Sequence, residues 1–174
     1  MSRGQFKLIL LLAVFSAPVL AAWLAYAYGP PVRAGNYGEL LAPTRLMLPP
    51  LADPSGQILA SDTLRGRWLL LVAAPDGCDQ ACADSLRLAR QARLAQGREQ
   101  GRVARVLLGG PDQAWPDREG AYTGALAAWP PVLARGGLYL VDPQGNLMLR
   151  FPDHPDGGRV IRDLRHLLMA SGAG

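Results

Sequence analysis

The sequence predicts an α/β sandwich with a central mixed β-sheet, preceded by one N-terminal transmembrane helix. Three observations carry this expectation. Leu8 to Tyr28 runs without a charge, long enough at about 1.5 Å per residue to cross a hydrocarbon core of about 30 Å. Trp68 to Ala74 (WLLLVAA) is a short, unbroken apolar run between turns, the pattern of a strand buried on both faces. Helix-forming and strand-forming stretches then alternate to the end of the chain, as layered α/β domains require.

The N-terminal run comes first. Arg3 and Lys7 precede it, and Trp23, Tyr26 and Tyr28 gather at its far end, where aromatic rings favour the membrane interface. Gly29-Pro30-Pro31 is expected to end the helix. A cleaved signal peptide would have a shorter apolar region, about 7–15 residues, and then a small-residue cleavage site. Ala17 to Ala22 offers small residues, but Trp23-Leu24-Ala25-Tyr26 continues the apolar run, so the expectation is an uncleaved anchor. The short basic head stays in the cytoplasm on this reading. The remainder is exported across a bacterial inner membrane into the periplasm, where disulfides are tolerated. The expected organisation is an anchor at 1–29, a linker rich in Pro, Gly and Ala at 30–44, and one domain at 45–174, large enough for its own core.

Within the domain, Gly56 to Leu59 suggests a short strand after the Asp53-Pro54-Ser55-Gly56 turn, and Asp62 to Gly66 a helical turn. The buried strand Trp68–Ala74 follows. From about Asp79 to Gln96 the chain is rich in Ala, Leu, Arg and Gln, all good helix formers. Val103 to Leu108 is a second short strand, and Gly120 to Ala128 a short helix. Leu138–Val141, the Asp142-Pro143-Gln144-Gly145 turn and Leu147–Phe151 form a hairpin. The last helix is Gly158 to Met169, with Val160, Ile161, Leu164, Leu167 and Leu168 on one face.

The net charge of +4 comes almost wholly from arginine. Arg87, Arg90, Arg93, Arg98, Arg102 and Arg105, and then Arg159, Arg162 and Arg165, read as solvated helix faces; an acidic partner or anionic lipid headgroups are the functional alternative. No nucleic-acid role is expected, since aromatic interleaving and any recognisable motif are missing.

Cys78 and Cys82 are the only cysteines. They exclude a multi-disulfide scaffold and a structural zinc site of cysteines alone. Two positions four apart on a helix have Cβ atoms about 5–6 Å apart, so both sulfurs can face one ion, or close a disulfide if the helix loosens. A helix N-terminus favours the Cys78 thiolate, while Asp76 and Asp79 oppose it. Two soft thiolates suit Cu(I), with no histidine needed. Thiol–disulfide exchange is the second use of such a pair. An inert disulfide across so short a loop, which adds little stability, is the third reading.

Residues 47 to 90 resemble the opening of the thioredoxin-like superfamily, especially its Sco (SenC-type) branch. The matching residues are the Asp53-x-x-Gly56 turn, Leu64-Arg65-Gly66-Arg67-Trp68, the apolar strand, and the cysteine after it. Tyr139-Leu140-Val141-Asp142-Pro143-Gln144-Gly145 resembles the same group's penultimate strand and turn. Three residues between the cysteines also match Sco proteins, where thioredoxins usually carry two. The resemblance implies a thioredoxin-like sandwich, Cu(I) on Cys78 and Cys82, and a cytochrome oxidase subunit or other exported thiol protein as partner. Two residues depart from it. Sco proteins place a histidine ligand before the strand that corresponds to Leu138–Val141, where this chain has Ala134-Arg135-Gly136-Gly137; and Asp79 replaces a proline common after the first cysteine. The missing histidine implies a Cu(I)-only site or none.

The remaining candidates are expected to be structural. His154 lies in a loop and reaches the cysteines only if that loop folds back; His166 is expected on the solvated side of the last helix. Pro130 and Pro131 are a loose match to the cis-proline of thioredoxin folds, and read as a turn. Met47, Met148 and Met169 are expected in or near the core, and Trp68 and Trp115 at the domain surface. Pro75-Asp76-Gly77 replaces the Thr and Pro that precede a peroxiredoxin's reactive cysteine, so peroxidase chemistry is disfavoured.

Overall fold

The computed structural model describes residues 3–28 and 36–171, and the chain divides into two compact units, Met1–Gly35 and Asn36–Gly174. In the first unit, α1 (Arg3–Tyr28) is a single helix with Pro18 inside it. Its apolar stretch has a mean hydropathy of 2.1, and the helix is long and apolar enough to cross a membrane. The helix stop expected at 29–31 lies outside the described residues, as do the side chains of Tyr26 and Tyr28.

In the second unit, the sheet is built from β1 (Glu39–Arg45), β2 (Leu51–Ala52), β3 (Ile58–Leu59), β4 (Trp68–Ala73), β5 (Val103–Gly109), β6 (Tyr122–Ala125), β7 (Gly137–Val141) and β8 (Asn146–Arg150), with the helices α2 (Gln80–Leu94) and α3 (Gly157–Ser171). The strand order is β1-β8-β7-β4-β5-β6-β2-β3. β4 pairs parallel with β5 and β5 with β6, while β7 runs antiparallel to both β4 and β8. The mixed α/β sandwich expected from the sequence is therefore the fold observed.

Burial explains the centre. All six residues of β4 and all seven of β5 are buried, because each strand is covered on both faces. On one face Leu70, Val72 and Leu140 pack with Leu86 and Ala89 of α2 and with Val160 and Leu164 of α3. On the other, Leu69, Leu71, Val106 and Tyr139 pack under Leu133, Trp129 and Leu48. At about 1.5–3 kcal/mol per fully buried large aliphatic side chain, these two layers dominate the stability.

Several expectations are corrected. Glu39 to Thr44, expected in the linker, forms with Arg45 the edge strand β1, paired antiparallel to β8, with Pro43 tolerated because no strand among the described residues pairs with the outer edge. The helix expected at Gly120–Ala128 is absent; Tyr122–Ala125 extends the sheet alongside β5. Gly124 fits there because a Cβ would come within 2.8 Å of Leu51 and 3.0 Å of Leu108. Met47 is 89% exposed and Met169 is also exposed, whereas Trp68 is buried. Arg105 is no helix-face residue. It points inward from β5 at 2% exposure, donates to Leu86 O, and lies 3.6 Å from Asp117.

Asp163 on α3 is buried without an ionic partner in its reach among the described residues. Its carboxylate accepts the backbone N–H groups of Tyr37, at 2.6 Å, and Gly38, at 3.3 Å. Through these bonds, the first described residues of the domain are held against α3.

Candidate functional site

The cysteine pair stands where the central strand ends. Pro75–Gly77 turns the chain off β4, and Asp79 caps α2 by accepting the Cys82 N–H at 2.9 Å. A capping aspartate satisfies one of the free donors of the first turn. Cys82 therefore lies inside the first turn of α2, and Cys78 lies one residue before the cap, outside the helix. The two form a disulfide with Cα atoms 5.1 Å apart, within the span a disulfide bridges. The helix does not have to loosen, since only one cysteine belongs to it. Cys78 is half-buried, and Cys82 is 8% exposed.

A cleft of about 470 Å³ opens beside the pair, between the start of α2 and the Ala134–Gly137 loop. Tyr139, fully buried, shapes this loop from below: its hydroxyl lies 3.0 Å from Gly136 O and 3.1 Å from Val132 O. Gly136 and Gly137 have φ of +66° and +104°, a region side chains rarely adopt. A Cβ on Gly136 would also stand 3.2 Å from Ala73 O. Where the resembled family carries a histidine, this loop presents bare backbone to the cleft at two of its four positions.

Arg150, at the end of β8, forms the far wall of the cleft with Asp153. It is 7% exposed. One terminal nitrogen lies 2.5 Å from the Asp153 carboxylate, the guanidinium stands 6.0 Å from the Tyr139 ring centroid, and the buried Nε has no hydrogen-bond partner among the described residues. Burial pulls the Arg150 pKa down, but hydrogen bonds to Asp153 and Tyr139 outweigh it and raise the pKa above its ordinary value. Burial raises the Tyr139 phenol as well. Arg135 is exposed on the loop above, with no ion pair or hydrogen bond among the described residues.

Other sequence candidates fall away from this place. His154 is exposed and does not line the cleft, and His166 is exposed on α3. Pro130 belongs to a turn in which its carbonyl accepts from Leu133 and Ala134, with no cis peptide among the described residues. No group of three or more His, Cys, Asp or Glu side chains stands together among the described residues, so the pair has no third donor of that kind beside it. Sequence reasoning missed Arg150 and Tyr139. The available signal was a charge inside an otherwise apolar strand, Leu147-Met148-Leu149-Arg150-Phe151.

Residues 68–171 match the family model for the transmembrane-like, thioredoxin-like, C-terminal domain. Structural neighbours are thioredoxin-like oxidoreductases and Sco proteins. A yeast mitochondrial 1-Cys peroxiredoxin is 14% identical with a TM-score of 0.51, over 76% of this chain and 78% of that one. A putative electron transfer protein from Aquifex aeolicus is 11% identical with a TM-score of 0.50, over 72% and 96%. ScoI of Bradyrhizobium japonicum, solved with copper bound, is 16% identical with a TM-score of 0.47, over 74% and 99%. No curated protein matches the chain significantly.

Proposed function

We propose that this chain, which belongs to the transmembrane-like, thioredoxin-like C-terminal domain family, is a membrane-anchored thiol–disulfide protein serving cytochrome oxidase assembly on the exported side of a bacterial inner membrane. The observation that carries the reading is the asymmetry of the pair: Cys78 is half-buried just before the Asp79 cap, and Cys82, buried in the first turn of α2, lines the cleft. In the reduced form, the Cys78 thiolate attacks a partner disulfide, one partner sulfur leaves as a thiolate, and a mixed disulfide forms. Cys82 then attacks Cys78 Sγ, releasing the second partner sulfur and closing the Cys78–Cys82 bond. Two electrons pass to the partner, and an exported dithiol protein returns them. The oxidase assignment rests on the motif resemblance, and the anchor on the length and apolarity of α1.

A second reading is favoured by the three-residue spacing. The reduced pair offers two soft sulfurs to Cu(I) as cargo, a coordination that needs no histidine.

One experiment addresses both. The reduced full chain in neutral detergent is titrated anaerobically with Cu(I) against a chromophoric chelator, and its pair is equilibrated with glutathione buffers; the Cys78→Ser/Cys82→Ser double variant is the control. A potential between about −270 and −120 mV supports exchange, whereas one below about −300 mV indicates a structural disulfide in a scaffold protein. One Cu(I) per chain, lost in the control, supports the cargo reading.

A further inference from the structure

The geometry points to a carboxylate-binding subsite between Arg150 and Arg135, beside the cysteine pair, that selects partner thiols carrying an acidic group close to the reacting sulfur. This inference rests on the thiol-exchange reading and names its substrate class. Arg150 is more than nine-tenths buried and lines the same cleft as Cys82; its Nε is itself buried, with no hydrogen-bond partner among the described residues. A buried guanidinium is costly unless its donors are used, and its fork matches a carboxylate. Arg135 lines the cleft from the opposite loop with no counter-ion among the described residues.

Of the three carboxylates that line the cleft, Asp76, Asp79 and Asp153, two make no ion pair with either arginine among the described residues. Asp79 is committed to the Cys82 N–H, and Asp76 is exposed on the turn before the pair. Asp153 is the one that reaches Arg150, from an exposed loop position. It is bound to a single terminal nitrogen, as a built-in competitor that an incoming carboxylate displaces. Gly136 and Gly137 leave the approach open, and a Cβ on Gly137 would stand 3.7 Å from an Arg150 terminal nitrogen.

The test uses the oxidised full chain in a neutral detergent at constant ionic strength. Reduction of the Cys78–Cys82 bond is timed with 3-mercaptopropionate and with 2-mercaptoethanol. In each case one thiolate opens the disulfide to a mixed disulfide, and a second releases the external disulfide and leaves both cysteines reduced. The ratio of the two rates cancels intrinsic differences between the thiols when wild type and variants are compared. Arg135→Gln and Arg150→Lys are expected to lower the ratio by roughly threefold, the size of a partly screened charge contact. Asp153→Asn is expected to raise it. An unchanged ratio in both arginine variants overturns the inference while leaving thiol exchange intact, as does a fall with Asp153→Asn. Should 2-mercaptoethanol fail to reduce the pair, the exchange reading falls, and a glutarate titration followed by amide NMR decides the subsite alone. Shifts at Gly136 and Gly137 that disappear in Arg135→Gln support it, and their absence in wild type overturns it.

Discussion

Asp163 and Tyr139 show how single polar groups hold this domain in shape. Asp163 is a buried carboxylate whose two contacts are backbone N–H groups of Tyr37 and Gly38. Replacing it by Ala leaves both donors short of a partner, and urea denaturation should show a loss of about 2 kcal/mol. Tyr139 makes a pH prediction. Burial raises its folded pKa, so the folded chain holds this proton more tightly than the unfolded one. That contribution is fully present below the unfolded value of about 10 and is lost as pH rises through the folded value. Denaturant midpoints should therefore fall in alkaline solution, and Tyr139→Phe should flatten that fall while costing about 1 kcal/mol near neutrality through the lost hydroxyl contacts.

Among the elements, α2 is the one whose start matters most. Asp79→Ala removes the acceptor for the Cys82 N–H, and thermal unfolding should register a loss of about 1 kcal/mol. The place of this helix was legible in the sequence, since an apolar run followed by a turn, a cysteine and an Ala- and Leu-rich stretch has few other readings. Its cap is not legible in the same way, because an aspartate beside a cysteine reads equally as a charge opposing the thiolate, and the chain's turn into α2 is what makes Asp79 a cap. β4, β5, the β7–β8 hairpin and α3 were legible for the same reason of strong pattern. β6 was not: Tyr122-Thr123-Gly124-Ala125 is too short for periodicity to decide, and it becomes a strand because β5 offers it a parallel edge. β1 was hidden by Pro43 and by the Pro- and Gly-rich stretch before it. The cysteine pair was visible as a pair of residues, but the arginine wall of the cleft was not, since Arg135 and Arg150 are brought to it by the hairpin and not by spacing along the chain.

For the whole molecule, the disulfide is a minor support. It closes a loop of very few residues, for which chain entropy predicts at most about 2 kcal/mol. The reduced full chain should keep its near-UV circular dichroism and its urea midpoint should shift only modestly; loss of tertiary signal on reduction would show that the pair is structural first. The two apolar layers on either side of the sheet supply the reason, since neither depends on the sulfur bond.

The two margins of the sheet have a consequence for life in a crowd. β3 is only two residues long, and β1 carries Pro43 and a register irregularity between Leu40 and Thr44. Neither margin offers a neighbouring copy a long, regular ladder to extend. Molecules tethered to a surface meet far more often than molecules free in solution. A chain held there by α1 would be exposed to repeated side-by-side encounters, and blunt sheet margins let those encounters end in separation and not in a growing ribbon.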